Sequence, residues 1–94
     1  MMKKLQEMQQ KVEETKARLD TITVEGKASN GKVSVIMTGN RKVNAISINE
    51  ELANLDKEEL EDLVLIATND ALEKAERVNE SEMKAASAGM LPGM

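Results

Sequence analysis

Basic side chains near the start of the chain are the residues whose type and spacing could do chemistry. At about 100° per residue, Lys3, Lys4, Lys11 and Arg18 fall within about 100° of one another on a helix. Several cations on one helix face can bind a row of anionic groups such as phosphates. Glutamates lie in the same band, each four residues before a cation, so a solvated face of ion pairs is the alternative.

The residues needed for most catalytic sites are missing from this sequence. It has no histidine and no cysteine, so a His/Cys metal site cannot form and serine or threonine nucleophiles lack the usual base. The carboxylates at 58–62 open a helix, where they favour the helix dipole and solvent. There is no phosphate-cradling glycine loop. We therefore expect no enzyme activity, no cofactor, no metal and no small-molecule substrate.

Composition indicates one small domain, which we place at residues 1–88, followed by a flexible tail at residues 89–94. The 94 residues include no Phe, Tyr or Trp, so a monomer lacks the large side chains that would fill its core. Without aromatic rings there is also no surface on which the bases of a single-stranded nucleic acid could stack. Net charge is −4, but residues 57–84 carry nine acidic and four basic side chains, so an anion-binding surface must be local. No apolar run approaches a membrane span of about 18 residues, and we expect a cytoplasmic protein without membrane contact. The absence of cysteine leaves the redox compartment undecided.

The first segment predicts a helix with a narrow apolar seam. Apolar residues and one threonine repeat at spacings of four and three: Met1, Leu5, Met8, Val12, Thr15, Leu19 and Ile22. A seam this narrow suits packing along one partner helix, and we expect the helix to project. The alternative is that it lies on its own sheet.

From Thr21 to Ile48 the apolar period changes to two, which predicts three strands. Asn30-Gly31 predicts a type I′ turn, and residues 39–42 predict a second turn. Gly26 interrupts the first strand and marks a bulge or a close backbone approach. Alternation predicts two faces. The face toward the helices holds Val33, Val35, Met37, Ile46 and Ile48, and the opposite face holds Ile36, Val43 and Ala45.

The second helix is predicted to begin after Asp56, which with Glu59 forms a capping-box pattern, and to end at Gly89. A short helical turn is expected before it, at residues 50–53. One stripe about 120° wide predicts packing within the domain: Leu60, Leu63, Val64, Ala67, Ala71, Ala75 and Val78. Leu65 and Leu72 form a shoulder beside this stripe. One small sheet cannot cover both surfaces, so we expect the shoulder to contact a second subunit.

Several segments together resemble the YbaB/EbfC nucleoid-associated proteins. They are the Gln- and Met-rich helix at 2–16, the strand at 31–35, the stretches 61–64 and 69–75, and the ending 87–94. The resemblance covers the whole chain in order. It implies an α+β fold with α-β-β-β-α subunits, a three-stranded antiparallel sheet, and a homodimer with projecting helices.

The same resemblance implies a bacterial protein that binds double-stranded DNA in the nucleoid. Basic positions on the helices would then meet phosphates: Lys3, Lys4, Lys11, Lys16 and Arg18 on the first, and Lys74, Arg77 and Lys84 on the second. The alternative function is a dimeric protein–protein scaffold without significant DNA binding.

Overall fold

The computed structural model describes residues 2–49 and 56–88, which form two helices and three strands. Their order is α1 (Met2–Leu19), β1 (Thr23–Ala28), β2 (Val33–Thr38), β3 (Val43–Ile48) and α2 (Lys57–Ala88). The predicted α+β class and α-β-β-β-α order are confirmed. The turn expected at residues 50–53 and the tail at residues 89–94 lie outside the described residues.

The three strands form one antiparallel sheet in the order β1-β2-β3. Asn30 and Gly31 have φ angles of 59° and 87°, and the Lys32 N–H donates to the Ser29 carbonyl over 3.2 Å. Positive φ at both central residues is the geometry of a type I′ turn, so the predicted turn is confirmed. At the second turn the Arg41 N–H donates to the Thr38 carbonyl over 2.9 Å.

The pairing of β3 with β2 corrects one prediction about the faces of the sheet. Ile36 pairs with Ala45 and Met37 pairs with Val43, so Asn44 is one extra residue in β3. This bulge returns Val43 to the face of Met37, whereas simple alternation predicted that Val43 lies with Ile36 and Ala45. β1 itself pairs without a register shift through Gly26, so the bulge lies in β3 and not at the glycine.

Helix α2 packs on β1 and β2 through a stripe of small residues. Ala67, Ala71 and Ala75 are fully buried, as are Val33 and Val35 of β2. At Gly26 an added Cβ would overlap the Ala67 carbonyl oxygen and the Ala71 amide nitrogen. Backbone therefore rests on backbone at this point, and the close approach predicted for Gly26 is confirmed.

Strand β3 lies outside the footprint of α2. Ile46 pairs with Val35 and Ile48 with Val33, so both isoleucines share the face of the sheet on which α2 packs, as predicted. Their side chains nevertheless remain 52% and 39% exposed, because α2 covers the other two strands. The helices of one subunit therefore leave these two residues of the predicted helix-facing set largely uncovered.

Helix α1 packs along the second half of α2 and projects away from the sheet. Thr15 and Leu19 are buried, and the Gly39 N–H donates to the carbonyls of Leu19, at 3.1 Å, and Ile22, at 2.9 Å. Toward the start of α1 the seam residues Leu5, Met8 and Val12 are exposed, so this part leaves the rest of the subunit and the projecting helix is confirmed. The described part of the molecule measures 60 × 20 × 17 Å. Neither helix in the described ranges has a stretch apolar and long enough to cross a bilayer.

Candidate nucleic-acid interface

The start of α1 concentrates positive charge. Lys3 and Lys4 are exposed in its first turn, which contains no acidic residue. The free N–H groups of a helix N-terminus already carry partial positive charge, and two ammonium groups add to it. This end of α1 therefore attracts anions, although the arrangement does nothing to stabilise the helix itself.

Lys11 and Arg18 continue this positive charge from Lys4 along the helix. Lys4, Lys11 and Arg18 are seven residues apart, which places them at intervals of roughly 10 Å along one side. Within the described residues, Lys3, Lys4 and Lys11 take part in no ion pair, and the Glu7–Lys11 pair suggested by the sequence is not formed. These lysines can approach a phosphate without first leaving a partner.

Arg18 differs, because it contacts α2. Its guanidinium forms an ion pair with the Glu82 carboxylate and not with Glu14, the partner suggested by spacing. Beside this pair a groove of about 230 Å³ separates the helices, lined by Lys11, Glu14, Thr15, Arg18, Ala85 and Ala86. Arg18 thus joins the two helices at the base of the projecting part, and it must exchange Glu82 for a phosphate if it binds DNA.

Lys16 points to another side of α1. It lines an apolar groove with Leu5, Met8 and Val12, three residues that are 61%, 48% and 40% exposed. On a helix this direction lies about 150° from the mean of Lys11 and Arg18. Lys16 therefore lies beside the apolar seam and not in the row formed by Lys4, Lys11 and Arg18.

The three basic residues of α2 that were predicted to bind DNA occupy two further places. Lys74 reaches the outer edge of β1, where its ammonium group donates to the Glu25 carbonyl over 2.9 Å. Arg77 forms an ion pair with Glu73 at 3.1 Å, and Lys84 is exposed seven residues later. Arg77 and Lys84 share a helix face roughly opposite to Glu82. The eight predicted residues therefore do not form one surface, and their DNA contacts remain predictions.

Asp70 holds Lys74 in place and has a perturbed acidity. One carboxylate oxygen accepts the Lys27 backbone N–H over 3.0 Å and lies 3.1 Å from the Lys74 ammonium. The hydrogen bond from Lys27, followed by that from Lys74, holds the pKa of Asp70 below its ordinary value. Because the charged form is favoured in the folded state, Asp70 stabilises the fold above its unfolded-state pKa.

We expect the stabilisation by Asp70 to disappear in acid. It is present in full above about pH 4 and is lost as pH falls through the lower folded-state pKa. Asp70→Asn should therefore be less stable than the wild type at neutral pH, with a difference that shrinks toward pH 3. Urea unfolding followed by circular dichroism at several pH values measures this. E73Q removes a carboxylate from the same helix without touching β1 and is the matched control; equal curves for wild type and D70N would contradict the prediction.

Sequence reasoning missed two contacts that organise these cations. Glu82 lies 64 positions from Arg18, and no local pattern connects them. The Asp70–Lys74 pair was evident from its i,i+4 spacing, but its contacts with β1 depend on where α2 crosses the sheet. Neither contact leaves a signal in the sequence.

The chain is similar in sequence and in fold to known proteins. A family model described as the YbaB/EbfC DNA-binding family matches residues 1–90. A protein of Flavobacterium johnsoniae named "Nucleoid-associated protein" is 44% identical over 94 residues, covering all of this chain and 88% of that protein. The crystal structure of an uncharacterized protein from Helicobacter pylori has the same fold, with a TM-score of 0.74 and 22% identity over 92% of this chain and 87% of that one. The chain belongs to the YbaB/EbfC DNA-binding family.

Proposed function

We propose that two copies of this chain associate and bind double-stranded DNA in the nucleoid through cations on the projecting α1 helices. The family and the name of the Flavobacterium relative support DNA binding and the nucleoid. Contact is made largely with backbone phosphates, so it depends on charge more than on base sequence.

The observation that carries this proposal is the row of unpaired lysines from the start to the middle of α1. Lys3, Lys4 and Lys11 are exposed, and within the described residues none is held by a carboxylate. Two copies supply six such lysines. About six phosphate contacts are enough to give binding that falls steeply with salt.

The negative net charge limits how DNA can approach. Most of the excess negative charge lies on α2, whose exposed carboxylates include Glu58, Glu61, Glu76 and Glu80. A duplex lying along that surface would be repelled. The proposal therefore places DNA at the ends of the α1 helices and away from the outer face of α2.

The dimer is supported by apolar surface that one subunit leaves uncovered. Val43, Ile46 and Ile48 of β3 are 48%, 52% and 39% exposed, and Leu65 of α2 is 59% exposed. Leu65 and Leu72 project from the same side of α2 as Asn79, whose side-chain amide donates to the Gly39 carbonyl in the β2–β3 turn. The shoulder and β3 thus lie on one flank, and a second copy would cover both.

A scaffold that binds another protein is the second candidate function. The observation favouring it is the exposed seam of Leu5, Met8 and Val12, beside the row of lysines. An apolar strip on a projecting helix fits the face of a partner helix. In that case the lysines would flank a protein contact.

A salt titration of DNA binding separates the two functions. Fluorescence anisotropy with a labelled duplex should show affinity falling by about 10³ or more between about 50 and 200 mM salt. We expect Lys11→Ala to reduce the slope of log affinity against log salt by about 2, since a dimer loses two phosphate contacts.

Lys57→Ala is the matched control for this experiment. Lys57 is an exposed lysine in the first turn of α2, roughly 37 Å along the helix from Glu82, which marks the base of α1. It makes the same charge change far from the proposed contact, and it should leave the slope unchanged. Equal effects of the two variants would refute a local contact at α1, and no binding at the lowest salt would favour the scaffold.

A further inference from the structure

The outer edge of β1 carries backbone groups that another strand could pair with. Successive residues of a strand direct their N–H and C=O groups to opposite sides, and β1 pairs with β2 on one side only. The backbone N–H of Lys27 and the backbone C=O of Glu25 point away from β2, as their hydrogen bonds to side chains of α2 show. An edge of this kind is a template for strand addition unless something covers it.

Two side chains of α2 cover the centre of this edge. Asp70 accepts the Lys27 N–H over 3.0 Å, Lys74 donates to the Glu25 carbonyl over 2.9 Å, and the two side chains are 3.1 Å apart. They reach so far because α2 rests directly on the backbone of Gly26 between them. The Asp70–Lys74 pair, hereafter the edge cap, therefore depends on the contact that fixes the helix to the sheet.

The edge cap has the bonding pattern of one residue in an adjoining strand. In a parallel ladder, a residue accepts an N–H from one residue of its neighbour and donates to the C=O two positions earlier. The cap supplies the same acceptor and donor to Lys27 and Glu25. An incoming strand must displace an ion pair to reach these groups.

The opposite edge of the sheet differs. All six residues of β3 are exposed, and α2 packs on the other two strands. If both edges were open, β1 of one copy could join β3 of the next in competition with the dimer contact proposed at β3. That contact uses two different surfaces, so it does not close on itself and can continue without limit.

We infer that the edge cap prevents copies of this chain from adding β3 to β1, and so confines self-association to the side of β3. The partner that it excludes is an extended strand of a second copy. This inference concerns assembly and is independent of DNA binding.

The decisive variants are Asp70→Ala with Lys74→Ala, compared with Glu73→Ala with Arg77→Ala. Each double variant removes one acid and one base at i,i+4 on the same helix, but only the first pair touches β1. Light scattering over a concentration series should show a mass that grows at least several-fold for D70A/K74A and stays at the wild-type value for E73A/R77A. Equal masses for both variants, with native circular dichroism, would overturn the inference.

Lys27→Pro tests where the larger assemblies grow. Proline removes the N–H that the cap covers, and that N–H faces away from β2. Added to D70A/K74A, it should return the mass to the wild-type value. Large assemblies that persist in the triple variant would show growth elsewhere and would contradict the inference.

Amide exchange of the wild-type protein gives a test that needs no variant. The Lys27 N–H should exchange several-fold more slowly than the Glu25 N–H, which faces the same edge two residues earlier. Equal exchange rates would mean that the cap is open in solution. Equal rates would overturn the inference, and this test remains valid if D70A/K74A does not fold.

Discussion

Gly26→Ala should lower the free energy of unfolding by about 3 kcal/mol or more, because the added methyl has no space. It would overlap the Ala67 carbonyl oxygen and the Ala71 amide nitrogen, and it would lie 2.6 Å from the Ala71 Cβ. These are atoms of a helix that cannot rotate out of the way as a flexible side chain would. Helix α2 must move off β1, and the buried contacts of Ala67, Ala71 and Ala75 loosen together.

Urea unfolding followed by circular dichroism measures this loss, and the choice of probe matters because the chain has no aromatic residue to fluoresce. Protein concentration is held constant, since association adds to apparent stability. Gly31→Ala is the control: its φ is +87°, and the nearest atom to an added Cβ is the Lys27 Cδ at 3.9 Å. It meets backbone strain of about 1 to 2 kcal/mol without a clash. A smaller loss for G26A than for G31A would refute direct contact between α2 and β1.

Local patterns were sufficient to predict the elements of this fold. A change of apolar period from helical spacing to two separated α1 from the strands, and Asn30-Gly31 located a turn through its need for positive φ. The alanine stripe of α2 was predicted because Ala67, Ala71 and Ala75 share one face of a long helix. Each of these features depends on residues close together in the chain.

The errors arose where distant segments decide the outcome. Strict alternation placed Val43 on the wrong face, because Asn44 is an extra residue that only the pairing with β2 reveals. Alternation also gave Ile46 and Ile48 the correct face but not their exposure, which depends on the path of α2. Periodicity determines the direction of a side chain, and the position of the next element determines its burial.

The candidate site was predictable in part for the same reason. Helical spacing correctly placed Lys4, Lys11 and Arg18 along one side of α1. It could not predict that Arg18 would form an ion pair with Glu82 or that Lys74 would donate to the Glu25 carbonyl. Spacing within a helix describes one face, and contacts between elements decide which charges on that face remain available.

Ile46→Lys should raise the dissociation constant of the proposed dimer by at least about 10³. Ile46 is 52% exposed in one subunit, so an ammonium group there has little effect on the isolated fold. In a dimer that covers β3, two such ammonium groups are buried, one from each subunit. Burial of an unpaired polar or charged group costs about 2 kcal/mol or more, so two such groups give the expected change. Light scattering at micromolar concentration measures the mass.

Ala45→Lys makes the same charge change on the opposite face of the same strand, because Ala45 pairs with Ile36 and Ile46 pairs with Val35. It should leave the mass unchanged, and dissociation by A45K alone would place the interface on the other face of the sheet. DNA binding by I46K adds a second measurement. The variant gains positive charge, which by itself favours a duplex, so a fall in affinity must come from losing the second α1 helix. Unchanged affinity in a monomeric I46K would show that one helix is enough to hold the DNA.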